Sequence, residues 1–353
     1  MLVDKKIFFL TLGFIFAFIL LTASLLGPLK ISLIEMINIL VSKMGLDEIF
    51  GTGQVSTVKE AVFWNIRLPR IFLGILVGIA LGTSGAILQG LFRNPLVDPG
   101  FIGVSSGAAL AAMLVIMFSA SFTHMISPKL LMYVMPICAM IGAIITTILV
   151  FKISVIENKT NVMMMLLSGI AINALVGSVI GLLVFSSDDQ QLRSFTFWTL
   201  GGLDRASWEV VGIASVFILL PLFSIYSLGN PLDIFMLGDS ESGYLGLDIE
   251  SLKRKIILFS ALMVGVSVAF CGMIGFIGLV TPHLVRLFIG PSHKFLIFGS
   301  ALLGAVILLS SDLLSRTIVA PAQLPIGIIT SSLGSPFFIY LLINQKKKVK
   351  YGF

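Results

Sequence analysis

Charge is what this sequence has least of. Only 11% of its 353 residues are Asp, Glu, Lys or Arg, against about 25% in an ordinary soluble domain. A chain that is also 57% hydrophobic, with a mean hydropathy of +1.09, cannot clothe itself for water. The composition therefore excludes a soluble globular protein and points to a polytopic membrane protein. Cysteine is nearly missing too. Cys138 and Cys271 lie in apolar runs and form neither C-x-x-C nor a zinc spacing, so they say nothing about redox compartment and read as small core residues. The three histidines, His124, His283 and His293, are dispersed, with no H-E-x-x-H, and no metal site is expected. His283, in TPHLVRL, reads as a hydrogen-bonded residue at a helix end.

Two further absences bear on energy. No G-x-x-x-x-G-K-[ST] phosphate loop is present, so ATP cannot bind to this chain by that route. No apolar run carries an Asp, Glu, Lys or Arg at its centre, where an ion-coupled secondary transporter would bind and release its proton or sodium ion. A pump built this way takes its energy from another chain. Catalysis lacks support as well. GVSSG at 103–107 fits G-x-S-x-G, but that motif needs a strand before it and a converging histidine and carboxylate. Here Pro99-Gly100 is expected to open a membrane helix, and Ser105, Ser106 and Gly107 read as small packing residues. The net charge of +6 does not imply nucleic acid, because the lysines and arginines are spread loop by loop, which is a topology signal.

What the chain does have is long apolar runs. Charge-free stretches cover 7–29, 71–92, 99–128, 130–151, 160–187, 210–232, 256–285, 295–311 and 317–345, and about 20 apolar residues cross a bilayer. The first run is too long for a signal-peptide h-region and no clear A-x-A site follows, so it is expected to stay as a helix. The run 256–285 is interrupted by Gly272, Gly275, Gly278 and Thr281-Pro282 and divides near residue 275 into a full helix and a shorter one. Ten spans result, with both termini on one side. With the N-terminus inside, 14 of the 23 lysines and arginines are cytoplasmic and 9 are external, which favours both termini in the cytoplasm. Arg67, Arg70 and Arg316 then face outward, where positive charge needs a reason.

VGIALGTSGAI at 77–87 and VGVSVAFCGMI at 264–274 align without a gap at an offset of 187 residues. They fall on spans 2 and 7, so they run in opposite directions, the pattern of an inverted-topology repeat in transporters. The alternative is chance likeness between two Gly/Val-rich helices. The expected halves are 1–190 and 208–345, within one permease domain of 353 residues. Between them, NPLDIFMLGDSESGYLGLDIESLKRK at 230–255 holds a short helix starting at Asp239, Ser240 and Glu241 and stopping at Leu245-Gly246, with acidic residues at its positive end. Locally it reads equally as a docking helix for a partner's groove or as a solvated loop.

The chain resembles the FecCD-type permeases of ABC importers, which carry ferric siderophores, haem or cobalamin, through RLPR at 67–70, SGAILQGLFRNPLVDPGFIGVSSGA at 84–108, GFIGLVTPHLVRL at 275–287 and LPIGIITSSLGSPFFIYLL at 324–342. The likeness covers nearly the whole chain. It implies an all-α fold of about ten transmembrane helices, the type II ABC importer permease fold, in a bacterial plasma (inner) membrane. It also implies a homodimer with the pathway at its interface, two cytoplasmic ABC ATPase subunits that hold the ATP, and an external substrate-binding protein. Contact with membrane lipid is expected, with no nucleic acid and no cofactor on this chain. By resemblance, Arg67, Arg70 and Arg316 pair with glutamates of the binding protein, as bidentate guanidinium forks can. The rival reading gives them lipid phosphates or helix ends. LGDSESGYLG, with Leu237, Gly238, Asp239, Ser240, Glu241, Ser242, Leu245 and Gly246, matches the family's ATPase-coupling segment, expected over 229–253. The family usually has alanine where Ser242 stands, and Gly243 weakens the short helix by up to ~1 kcal/mol.

The mechanism that follows is alternating access without covalent chemistry, along a weak, largely apolar passage with hydroxyl and amide groups from spans 5, 8 and 10. Thr160, Asn161, Val162 and Met163, in the loop returning span 4 to span 5, are candidates for an inner gate. The other readings are an ion-coupled secondary transporter, a metal-ion ABC permease, a receptor or scaffold without transport, and an intramembrane enzyme acting through Ser105 or Ser106. The residues leave the particular chelate undetermined.

Overall fold

The computed structural model describes residues 3–46, 56–119 and 127–351; His124 lies outside them. Helix α1 (Lys5–Leu25) begins where Asp4 accepts a hydrogen bond from the Lys6 amide, and Val3 donates to the Phe288 carbonyl. We call this end of the molecule the N-terminal pole and the other the far pole. Helix α2 (Leu33–Lys43) is started by a capping box between Ser32 and Glu35, which satisfies two of its orphan amides. Helix α3 (Thr57–Ala61) runs through a π-helical turn (Val62–Arg67) into α4 (Leu68–Leu91). The three form one 35-residue rod from the far pole to the N-terminal pole.

A 3₁₀ turn (Pro99–Ile102) and Gly103, at φ 84°, lead into α5 (Val104–Met117). The helix expected to open at Pro99-Gly100 therefore starts five residues later, because Asp98 takes the Gly100 amide and tightens the turn. Helix α6 (Pro128–Ser154) passes into strands β1 (Val155–Ile156) and β2 (Lys159–Thr160), then α7 (Val162–Phe185). Helices α8 (Asp189–Leu200), α9 (Trp208–Tyr226), α10 (Gly229–Phe235) and α11 (Asp239–Tyr244) follow. The chain closes with α12 (Ile249–Cys271), α13 (Ile277–Ile289), α14 (His293–Thr317) and α15 (Ile326–Tyr351).

Among the described residues, eight helices are long and apolar enough to cross a membrane, and α5 and α13 are shorter apolar helices. These ten agree with the ten expected spans. The run 256–285 does divide: Gly272 at φ 69° closes α12, and Phe276, also left-handed, opens α13.

The core is α4, with α14, α12, α13 and α9 packed around it. Close approach is possible because small residues meet there. Gly78 faces the backbone of Gly304 and Ala305, and Gly85 faces the backbone of Gly278, at distances no Cβ could share. Helix α12 starts beside Asp239 and Thr160 at the N-terminal pole and ends near Gly201 and Gly202 at the far pole. It therefore runs antiparallel to α4, and the two repeat segments point in opposite directions. In the first copy all of 77–87 is helical; in the second the helix ends at Cys271.

Candidate functional site

The π-helical turn brings Arg67 and Arg70 to the far pole, three residues apart and so on one side of the rod. They do not stand out as exposed forks. Arg67, Arg70 and Arg316 are 4%, 6% and 4% exposed. The Arg67 guanidinium donates to the carbonyls of Ser24 (2.7 Å), Leu25 (3.0 Å) and Leu29. Arg316 donates to those of Ala23 and Leu26, each at 3.3 Å. Two cations thus satisfy the orphan carbonyls at the C-terminus of α1, where the helix dipole is negative. Between Arg70 and Arg316 lies Asp312, wholly buried: Arg70 Nε is 2.7 Å from Oδ1 and Arg316 Nε 3.0 Å from Oδ2. Arg70 also donates to Gln323 at 2.7 Å. The sequence gives no signal for Asp312, which falls just past the apolar run 295–311; the helix continues to Thr317.

At the N-terminal pole the short helix expected at Asp239 is α11. Its start follows Gly238 at φ 122°, and Gly246, at φ 79°, comes just after its end. Ser242 is buried and its hydroxyl donates to the carbonyl of Ile234 at 2.9 Å and to that of Gly238. The hydroxyl thus stitches α11 back onto α10, which an alanine could not do. Leu237, Tyr244 and Leu245 are exposed, Tyr244 to 92%. Burial resists ionisation of the Asp239 carboxyl, but the hydrogen bond from Arg93 (2.6 Å) and the charge of Lys253 outweigh it and hold the group below the usual carboxylate range.

The residues at the junction of β2 and α7 lie beside this helix. What the sequence presents as a loop is a two-residue hairpin, with Val155 opposite Thr160 and Ile156 opposite Lys159. Glu157 and Asn158 both take positive φ, as a primed hairpin turn requires. Asn161 caps α7 by accepting the Met164 amide at 3.0 Å. Thr160 is buried and donates through N and Oγ1 to Glu250, at 2.9 and 2.8 Å. Thr160, Asn161, Val162 and Met163 line a cavity of about 1010 Å³ together with Arg93, Asp239 and Lys253. The candidate gate and the candidate coupling helix therefore share one cavity wall. Nothing in IESLKRK distinguishes the buried Lys253 from its exposed neighbours Arg254 and Lys255, or marks Glu250 as its partner.

A smaller cleft of about 410 Å³ is lined by Asp98, Ser105, Ser106, Asn173 and Gly177. Ser106 donates to Asn173 Oδ1 at 2.6 Å, and Asn173 Nδ2 donates to the Gly100 carbonyl at 3.2 Å. Both serines lie on α5, and no strand leads into the GVSSG segment. Among the described residues, no group of three or more His, Cys, Asp or Glu could hold a metal ion.

Among the described residues, ten apolar helices surround a glycine-seamed core, with a charged network at one pole and a buried arginine cluster at the other, as in a multi-pass membrane protein. The chain belongs to the FecCD transport family, whose model matches residues 14–344. It is 45% identical to the hemin transport system permease protein HmuU of Yersinia pestis over 287 residues, covering 81% of this chain and 84% of that one. It is 36% identical to the vitamin B12 import system permease protein BtuC of Vibrio cholerae, covering 82% and 85%. An ABC transporter described as of metal-chelate type, solved in an inward-facing conformation, superposes with a TM-score of 0.81 at 30% identity, covering 97% of this chain and all of that one. The fold is that of an ABC importer permease.

Proposed function

We propose that this chain is the membrane-spanning subunit of an ATP-driven importer that moves a ferric siderophore, haem or cobalamin-type chelate into the cytoplasm. It works as a homodimer in a bacterial plasma membrane, with two cytoplasmic ABC ATPase subunits and an external binding protein. The N-terminal pole, with both termini, is cytoplasmic. The observation that carries the ATP-driven reading is α11, a six-residue helix that ends in exposed Tyr244 and is flanked by exposed Leu237 and Leu245. Apolar side chains on a short polar helix at the end of a membrane protein suit the groove of a soluble partner. Tyr244→Glu with Leu245→Glu is expected to cut co-purification of the ATPase at least tenfold while the permease still folds. Undiminished co-purification would remove α11 from the interface.

The homodimer and its passage are assigned to α7 and α15. Both keep apolar faces exposed, Leu167, Leu175 and Leu182 on one and Ile328, Leu333 and Ile339 on the other. Asn173 and the serines of α15 supply the amide and hydroxyl groups that a weakly held chelate needs. Thr160–Met163 forms the inner gate. The binding protein docks on the far pole, where Arg70 and Arg316 share the Asp312 carboxylate and Arg67 has only carbonyl partners, which leaves a positive field that attracts acidic lobes. Because the guanidiniums are turned inward, this docking acts through their field and through the α1 corner they brace, or by their turning outward on contact. Arg67→Gln and Arg316→Gln are expected to reduce the stimulation of ATP turnover by the binding protein. Wild-type stimulation in variants with unchanged melting temperature would overturn the docking assignment.

A further inference from the structure

Lys253 is 4% exposed, on α12 next to exposed Arg254 and Lys255. A buried ammonium costs several kcal/mol unless its charge is paired and its donors are used. Its three protons have three acceptors on three different pieces of chain. The Nζ donates to the Thr160 carbonyl on β2 at 2.9 Å, to Asp239 Oδ2 on α11 at 3.2 Å, and to Glu250 Oε1 on its own helix at 3.4 Å. The other Glu250 oxygen holds Thr160 from the far side. Asp239 is held by Arg93, whose guanidinium also donates to the Phe235 carbonyl at 2.7 Å and lies over the Phe235 ring. Two cations and two carboxylates close the network.

We propose that Lys253 is a positioning residue that fastens the coupling helix α11 to the hairpin 155–160, so that the two move as one body. The physical reason lies in the donor count. If α11 shifts and the hairpin stays, the buried ammonium loses either Asp239 or Thr160, and a charge that is itself 4% exposed and short of one partner opposes that separation. Any displacement drawn on α11 is thereby delivered to Thr160, one residue before the cap of α7. The inference rests on the assignment of 237–246 to the ATPase contact and of 160–163 to the inner gate.

The test is carried out on the assembled permease and ATPase complex, with Cys138 and Cys271 replaced by alanine. Nitroxide pairs are placed at Ser240 and Gln190 and, separately, at Asn158 and Gln190, all exposed positions; distances are read by pulsed electron resonance with and without ATP. In the otherwise unchanged chain both distances are expected to shift with ATP. In Lys253→Met the Ser240 distance still shifts, and the Asn158 shift falls to less than half. Asp239→Asn, which loosens only the α11 side of the link, guards against misfolding of the first variant and is expected to reduce the Asn158 shift likewise. An Asn158 shift that persists in full in both variants overturns the proposal and leaves the coupling assignment standing. A Ser240 distance that ignores ATP in the unchanged chain overturns the coupling assignment, and the proposal with it.

Discussion

Asp312 shows how one side chain can hold a corner of a membrane protein. It faces two guanidiniums with no solvent contact, and removing one member of a buried ion pair costs roughly 3–5 kcal/mol. Asp312→Ala is expected to lower thermal stability in detergent by that order, and more than Arg67→Ala, whose partners are carbonyls near the end of α1. A melt that ranks them the other way would mean that the carboxylate is not what holds the arginines. The pairing was invisible in the sequence, since Arg70 and Asp312 are 242 residues apart. RLPR marks a special pair of arginines, but sequence cannot say whether a guanidinium turns to a partner protein or to its own chain. At the other pole, Asp239 has a depressed folded-state pKa, so its contribution is complete above the ordinary carboxylate value near ~4 and is lost as pH falls through the lowered value. Its carboxylate infrared band is therefore expected to persist as pH falls through about 4, where an ordinary aspartate is half protonated, and to vanish only in stronger acid.

The elements were easier to read than the contacts. Apolar length gives a span directly, and the Gly272 to Phe276 break was marked by its glycines. The hairpin 155–160 was not legible, because Glu157-Asn158 lacks the glycine that usually announces a primed turn. Nor was the 3₁₀ turn before α5, which depends on one Asp98 hydrogen bond. The helix seams can be tested separately. Gly85→Ala puts a methyl against the Gly278 backbone and is expected to cost about 1–3 kcal/mol through overpacking. Gly177→Ala, with nothing within 4 Å of its Cβ position, is expected to hold or slightly raise the melting temperature, since alanine is the better helix former. Equal effects of the two would show that α4 and α13 are not in contact as described.

For the whole molecule, the proposed energy source is the claim most open to direct measurement. Among the described residues no carboxylate or lysine lies at the middle of an apolar span, and the sequence carries no phosphate loop. Its family and its short exposed helix at the N-terminal pole support a partner ATPase. The direct measurement is uptake into proteoliposomes holding the permease, its ATPase and its binding protein, with a ferric siderophore, haemin and cobalamin as separate probes. The account predicts accumulation of at least one probe only when ATP is supplied on the ATPase side, with proton and sodium gradients collapsed. Uptake driven by an ion gradient in liposomes lacking the ATPase would contradict it.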